Sequence, residues 1–188
     1  MTAGFLEWCR LARPLSSALV DRLGAVSPVR RSSARVVLVD ADDRVLLLRG
    51  GDPQRPGPAV WHTPGGGIDP GETAEHAAVR ELAEEVGLEL TLPGPLVWTR
   101  RFEFSFDGVV YDQDEVFYFA RVSSHEVDDS RQTPLERRYL SGHRWFSVAE
   151  LRELEELVAP PDIADQLHLL LRDGPPSAPV EVGPAVMP

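Results

Sequence analysis

Short apolar runs separated by turn residues predict a domain rich in β-strands. Runs of β-branched residues and leucines occupy residues 35–39 and 44–49, and the polar stretch between them is typical of a hairpin. Two longer runs, 96–106 and 109–122, are separated by Asp107 and Gly108, a dipeptide that favours a hairpin turn. Shorter strands are predicted at 61–63 and 143–146. Residues 50–58, 64–67 and 123–139 are interpreted as loops or turns.

Helical spacing of apolar residues predicts four further elements. After Pro14, leucine and valine recur at helical spacing through residue 26, which predicts an N-terminal helix. A central helix is predicted between Thr73, a plausible N-cap, and Gly87, a C-terminal stop. Two more helices are predicted, one from Ser147 to residue 157 and one at 163–171. Strands, a central helix, more strands and then helices indicate an α/β or α+β sandwich, a mixed β-sheet flanked by helices.

The same pattern divides the chain into three parts. Residues 1–32 form a predicted N-terminal helical extension, residues 33–172 the folded domain, and residues 173–188 a tail. The tail contains five prolines, so we expect it to be mobile or extended. The extension can pack on its own domain or on a second copy of the chain, which leaves a homodimer open.

The composition of the chain limits the cellular compartment and the classes of partner that we expect. The chain has 188 residues and a formal net charge of −11, which argues against nucleic acid and anionic membranes as partners. The single cysteine, Cys9, excludes an internal disulfide and fits a reducing compartment. Charged residues interrupt the first 30 positions, and no apolar window approaches 18 residues. We therefore expect a soluble cytoplasmic protein without a membrane-spanning segment.

Three carboxylates crowd the C-terminal half of the central helix. Glu81, Glu84 and Glu85 fall within an arc of about 100° on a helical projection. They repel one another, and they lie near the negative end of the helix dipole. Arg80 projects to the flank of this arc, so no basic residue is expected to offset the charges. The missing counterion is expected to be a hard divalent cation.

The spacing around these glutamates resembles the signature of the Nudix hydrolase superfamily, with no position missing. It runs from Gly66 through Glu72 to the block that begins at Arg80-Glu81-Leu82 and ends at Leu88. The wider resemblance covers about residues 33–157. It implies the Nudix fold and a hydrolase that cleaves a diphosphate linked to another moiety, by attack of water on phosphorus. The implied cofactor is Mg²⁺, with Mn²⁺ as the alternative.

The resemblance also implies a division of roles among the residues of the motif. Glu81 and Glu85 are expected to bind the metal together with a backbone carbonyl of Gly65 or Gly66. Glu84 is expected to bind a second ion or to orient water. Arg80 and Glu72 are expected to brace the carboxylates.

Residues outside the motif can complete the site. Family members recruit a further acidic residue after the motif, and Glu115 is preferred here over the neighbouring Asp112 and Asp114. Arg35, Arg49 and Arg101 are candidates for binding substrate phosphates, and each can equally be a surface charge. Trp61 can stack on a base or pack in the core. The histidines lack metal-ligand spacing and are left out.

The substrate is less defined than the reaction. The residue tags that the family carries downstream of the motif for NADH, ADP-ribose and diadenosine polyphosphates are missing from this chain, and no coenzyme A signature precedes the motif. The leading hypothesis is a small nucleotide-type substrate, a nucleoside triphosphate or a related nucleoside diphosphate derivative, cleaved to a monophosphate. The alternatives are a pyrophosphohydrolase of RNA 5′ ends and a non-catalytic ligand-binding module. The intact motif counts against the second of these, and the acidic charge against the first.

Overall fold

The computed structural model describes residues 27–54 and 57–183, and these form a sheet with helices on both faces. The predicted N-terminal helix lies outside the described residues. The strands are β1 (Val29–Val39), β2 (Val45–Gly50), β3 (Val60–His62), β4 (Gly65–Gly67), β5 (Leu96–Phe106), β6 (Val109–Arg121), β7 (Leu140–Phe146), β8 (Leu157–Ala159) and β9 (Val180–Glu181). The helices are α1 (Ala74–Val86), α2 (Glu136–Tyr139), α3 (Val148–Glu153) and α4 (Ile163–Asp173).

The strands form one mixed sheet in the order β8-β3-β2-β1-β6-β5-β9, with β4 also paired to β1 and β7 to β2. β1 and β6 run parallel over their whole length, and Ser33 lies opposite Glu115. β5 and β6 form the predicted antiparallel hairpin. At its tip Asp107 and Gly108 have φ values of 49° and 81°, the left-handed geometry of a two-residue hairpin turn. The predicted mixed-sheet sandwich is confirmed.

The central strands are buried on both faces, which explains their continuous apolar runs. On one face, Val37 and Leu47 pack in a cluster with Leu151 of α3 and Leu167 of α4. On the other face, buried residues of β1 and β2 pack against α1; these are Ala34, Val36, Leu38, Leu46 and Leu48. Among the described residues, no helix is both long enough and apolar enough to cross a membrane.

The caps of α1 are those that the sequence predicts. The Thr73 side chain accepts a hydrogen bond from the His76 backbone N–H, and Gly87 adopts a left-handed φ of 71°. Leu82 and Val86 are fully buried. Their packing holds one side of α1 against the sheet and turns the glutamates towards β4.

Four segments differ from the predictions. The helix predicted to run from Ser147 to residue 157 ends at Glu153, because Leu157–Ala159 pair with β3 as strand β8. The glycine turn contains β4, which pairs antiparallel with β1 so that Gly65 lies opposite Arg35. The predicted loop at 123–139 contains the short helix α2. The described part of the tail is extended, but it is packed rather than free. Val182 is 1% exposed, and its backbone N–H donates to the Thr99 carbonyl at 2.9 Å.

Candidate active site

Three buried carboxylates meet beside β4. Carboxylate oxygens of Glu81, Glu85 and Glu136 all lie within 4.8 Å of one another. Glu81 and Glu85 are one turn apart on α1, whereas Glu136 begins α2. All three residues are buried, and the most exposed of them, Glu81, is 7% exposed. Glu136 was not among the candidates from the sequence, because it lies in a charged segment with no motif of its own.

Glu85 is the most enclosed of the three. Its carboxylate accepts hydrogen bonds from the Gly65 backbone N–H at 2.7 Å and from the Tyr139 hydroxyl at 3.2 Å. Burial, reinforced by the negative charge of Glu81, raises the pKa of Glu85 to about 8. Removing an ionised carboxylate from water is costly unless a cation compensates it. The donor set, three hard carboxylate oxygens, suits Mg²⁺ or Mn²⁺.

Gly66 allows the glycine strand to approach Glu81 closely. A Cβ atom at position 66 would lie 2.6–2.7 Å from the three atoms of the Glu81 carboxyl group. Burial also raises the pKa of Glu81, although Arg80 donates a hydrogen bond to it at 2.9 Å. The Glu81 carboxyl group therefore occupies the space that a side chain at position 66 would need.

Arg80 contacts the carboxylates more extensively than the helical projection indicates. It donates to Glu72 from Nε at 3.0 Å and from Nη2 at 2.9 Å. Its Nη1 reaches both Glu81 at 2.9 Å and Glu84 at 3.3 Å. The expectation that no basic residue offsets the charges of the glutamates is therefore wrong, because the long Arg80 side chain reaches Glu81 and Glu84 on its own helix. Its hydrogen bonds also lower the pKa of Glu72.

Glu115 lies in a different environment from the three clustered glutamates. Its carboxylate accepts hydrogen bonds from Nε of Arg35 at 2.6 Å and Nε of Arg100 at 2.8 Å. Burial alone would raise the pKa of Glu115, but the charges and hydrogen bonds of the two arginines lower it to about 2. Glu136, not Glu115, is the residue that the structure brings to Glu81 and Glu85.

The remaining candidates are distributed over three regions. Arg35 lies beside the carboxylates, since its Nη1 donates to the Gly65 carbonyl at 3.0 Å. Arg49 pairs with Glu156 at 2.9 Å, and the Trp61 indole N–H donates to the same carboxylate at 3.0 Å. Trp61 also packs edge-on against Phe146 in the core. Arg101 is exposed and forms an ion pair with Asp112 at 2.7 Å.

Comparison with known proteins decides the family. The model of the NUDIX domain matches residues 29–167 of the chain. The chain belongs to the NUDIX family. The predicted fold, hydrolase class and membership of the Nudix pyrophosphohydrolase family are confirmed, and pyrophosphohydrolases are among the named relatives.

Two relatives illustrate the match in sequence. A protein of Bacillus subtilis (strain 168) named "Putative 8-oxo-dGTP diphosphatase" is 29% identical over 118 residues, which is 63% of this chain and 67% of that protein. An RNA pyrophosphohydrolase of Erwinia tasmaniensis is 32% identical over 127 residues, 62% of this chain and 69% of that protein.

Solved structures agree on the fold. The MutT protein of Methanosarcina mazei Go1 superposes with a TM-score of 0.60 at 21% identity, covering 79% of this chain and 97% of that one. The dihydroneopterin triphosphate pyrophosphohydrolase of E. coli gives a TM-score of 0.54 at 21% identity, covering 77% and 99%. At these identities the structures establish the fold alone.

Proposed function

We propose that the chain is a divalent-metal-dependent pyrophosphohydrolase whose substrate is a nucleoside triphosphate or a related nucleoside diphosphate derivative. The proposed metal site is supported by one observation: the buried carboxylates of Glu81, Glu85 and Glu136 lie close together. Three carboxylates in so little space need a cation, and Arg80 reaches only Glu81 among them.

In this proposal the three glutamates hold Mg²⁺ or Mn²⁺ beside the glycine strand. When bound, the cation supplies positive charge that neutralises the diphosphate oxygens. The Gly65 N–H fixes one Glu85 oxygen at 2.7 Å, and Arg80 fixes the Glu81 carboxylate at 2.9 Å. Both contacts preorganise the ligands, so little reorganisation is needed when substrate binds.

Two further residues have proposed roles around this centre. Glu84 keeps 32% of its side chain exposed, so it can orient the water that attacks phosphorus or help to hold a second ion. Arg35 keeps 17% of its side chain exposed beside the Gly65 carbonyl, where it can contact a substrate phosphate. Arg49 and Trp61 are left out of the proposed site, because both are already bonded to Glu156.

The nucleotide part of the proposal is supported by the relatives. The names of the two similar proteins described above refer to 8-oxo-dGTP and to RNA. An RNA 5′ end is the second candidate, favoured by the second name. The net charge of −11 favours small nucleotides over a polyanion.

A hydrolysis panel tests the proposal. It contains the nucleoside triphosphates, nucleoside diphosphate derivatives and 5′-triphosphorylated RNA, each with Mg²⁺, with Mn²⁺ and with EDTA. We expect metal-dependent release of a nucleoside monophosphate from the small nucleotides. Undiminished hydrolysis in EDTA would overturn the metal site, and a preference of about tenfold or more for RNA in kcat/KM would overturn the substrate class.

A pair of variants controls the panel. Glu85→Gln removes a proposed ligand, so we expect its activity to be lost. Glu89→Gln changes an exposed glutamate just beyond α1 that pairs with Arg131, and we expect its activity to match that of the wild type.

A further inference from the structure

Glu115 lies at the centre of a buried group of polar side chains on β1, β5 and β6. Its own side chain is fully buried. Its Oε1 atom accepts hydrogen bonds from Arg35 Nε at 2.6 Å, from Gln113 Nε2 at 2.8 Å and from Ser33 Oγ at 3.3 Å. Its Oε2 atom accepts a hydrogen bond from Arg100 Nε at 2.8 Å. A carboxylate offers about four lone pairs, so these donors use its capacity and fix its orientation.

Arg35 connects this buried group to the glycine strand. While its Nε atom donates to Glu115, its Nη1 atom donates to the backbone carbonyls of Thr63 and Gly65, each at 3.0 Å. A guanidinium group is planar and its donors form a rigid fork, so the partner of Nε determines where Nη1 points. The position of the Glu115 carboxylate therefore sets the contact between Arg35 and Gly65.

Gly65 holds a proposed metal ligand with its other backbone group. Its carbonyl accepts from Arg35, and its N–H donates to the Glu85 carboxylate at 2.7 Å. The strand that carries it, β4, is only three residues long, so a few contacts decide where this strand lies. A displaced Arg35 side chain would therefore move Gly65 and, with it, the Glu85 carboxylate.

Arg100 supports Glu115 from the side of the C-terminal tail. Arg100 is 9% exposed, and a Cβ atom added at Gly183 would lie 3.1 Å from its Cδ atom. The tail is fixed at this point, because the Val182 N–H donates to the Thr99 carbonyl at 2.9 Å. Arg100 is therefore enclosed between the tail and Glu115, and the carboxylate is held from both sides.

We propose that Glu115 is a positioning residue of the active site: it orients Arg35, Arg35 anchors Gly65, and Gly65 holds Glu85. This inference rests on the proposed function, because Glu85 is a ligand of the proposed metal site. Groups that orient metal ligands typically change metal affinity or activity by about tenfold or more when they are removed. A purely structural ion pair changes the free energy of unfolding alone.

Glu115→Gln tests this role in the full chain. Glutamine keeps the length of the side chain, but its NH2 group accepts no hydrogen bond, so one of the two arginines loses its acceptor. The first measurement is the Kd of Mn²⁺, titrated by electron paramagnetic resonance without substrate. We expect the Kd to rise about tenfold, although Glu115 itself does not lie among the three clustered carboxylates.

Hydrogen exchange of the Gly65 amide is the second measurement, and it needs neither metal nor substrate. Its rate in the metal-free protein is compared with that of the slowest amides, which exchange by global unfolding. We expect the ratio to rise about tenfold in Glu115→Gln, because the loosened strand exposes this N–H more often. A loss of global stability alone would leave the ratio unchanged or lower it.

Asp40→Asn is the matched control. Asp40 is 4% exposed, and its carboxylate accepts a hydrogen bond from Arg44 Nε at 2.8 Å. The substitution therefore also removes the charge of a buried carboxylate that is paired with an arginine, in the turn between β1 and β2. We expect it to lower the free energy of unfolding and to leave the Kd of Mn²⁺ and the Gly65 exchange ratio as in the wild type.

Two results would overturn the positioning role. One is a folded Glu115 variant that binds Mn²⁺ as tightly as the wild type; the other is an equal change in Asp40→Asn, which would make the effect one of stability. If Glu115→Gln is not folded by circular dichroism, Glu115→Asp replaces it with the same expectations, since its shorter side chain withdraws the charge from Arg35. If the wild type binds no Mn²⁺, the proposed metal site fails. The positioning of Gly65 by Glu115 is then judged by the exchange ratio alone, and an unchanged ratio overturns it.

Discussion

Glu85 on α1 accepts a hydrogen bond from the backbone N–H of Gly65 on β4 at 2.7 Å. This contact joins a helix to a strand, and β4 is itself fixed by antiparallel pairing with β1. The position of the glutamates relative to the glycine strand is therefore set by the sheet. The proposed metal site depends on that distance, because carboxylates one turn apart on α1 have little freedom of their own.

Alanine at position 66 should damage the site without unfolding the domain. The added Cβ would lie 2.6 Å from a Glu81 carboxylate oxygen, so the Glu81 side chain must move. We expect kcat to fall by about tenfold or more, since a displaced ligand costs at least 1.4 kcal/mol of transition-state stabilisation. Steady-state kinetics of Gly66→Ala, with circular dichroism to confirm folding, measures the effect.

Gly142→Ala is the control for this variant. A Cβ at position 142 meets no atom within 4 Å, so activity should be unchanged. Equal activity of the two variants would show that the close approach of Gly66 to Glu81 does not matter for turnover.

Glu85→Gln should separate activity from stability. Glutamine keeps the shape and removes an ionisable carboxyl group that is fully buried beside Glu81 and Glu136. We expect kcat to fall about a thousandfold, because a lost ligand weakens several kcal/mol of charge stabilisation. The melting temperature in EDTA at pH 7 should rise relative to wild type, because glutamine removes the cost of burying a carboxyl group that is ionised in the unfolded chain and whose pKa is raised to about 8 in the folded protein. A lower melting temperature in EDTA would show that burial of this carboxyl group does not destabilise the metal-free fold.

Added metal should stabilise the wild type more than this variant. A cation that binds only the folded state raises the melting temperature by mass action. Thermal melts at millimolar Mg²⁺ or Mn²⁺ should show an upward shift for wild type and a smaller one for Glu85→Gln. Identical shifts would indicate that the ion binds elsewhere.

Glu115→Gln should lower the free energy of unfolding. The substitution leaves the charges of Arg35 and Arg100 unpaired where Glu115 is 1% exposed, and breaking a buried ion pair costs about 3 kcal/mol or more. Urea unfolding at pH 7 should show a loss of this size. A variant as stable as the wild type would contradict the paired role of this carboxylate.

The pKa of Glu115 also predicts how the free energy of unfolding depends on pH. The pKa of Glu115 falls from an ordinary value of 4.5 to about 2 in the folded protein. The contribution of ionised Glu115 to the free energy of unfolding is therefore fully present above about pH 4.5 and is lost as the pH falls towards 2. The difference in unfolding free energy between wild type and Glu115→Gln should shrink between pH 5 and pH 3. A constant difference over this range would contradict the assignment.

The sequence predicted the parts of the site that are encoded locally. The caps of α1, the turn at Asp107 and the position of the motif glutamates on one side of α1 depend on neighbours a few positions away, and these features are found as expected. The orientation of Arg80 was mistaken because a helical projection shows the direction of Cβ and not the reach of a guanidinium.

Residues brought together from distant segments could not be predicted in the same way. Glu115 and Glu136 are both acidic residues after the motif, and only the tertiary structure distinguishes them. The parallel pairing of β1 with β6 places Glu115 beside Arg35. Glu136, at the start of α2, lies beside Glu85. The prolines of the tail indicated extended backbone, but the burial of Val182 depends on its contact with β5.

Binding of Mn²⁺ tests the central claim, that Glu81, Glu85 and Glu136 hold the cation together. The free ion is titrated by electron paramagnetic resonance against the wild type, Glu136→Gln and the surface control Glu89→Gln. The structure predicts that Glu136→Gln raises the Kd about tenfold or more while Glu89→Gln matches the wild type. A Kd of folded Glu136→Gln equal to that of the wild type would contradict the three-carboxylate site.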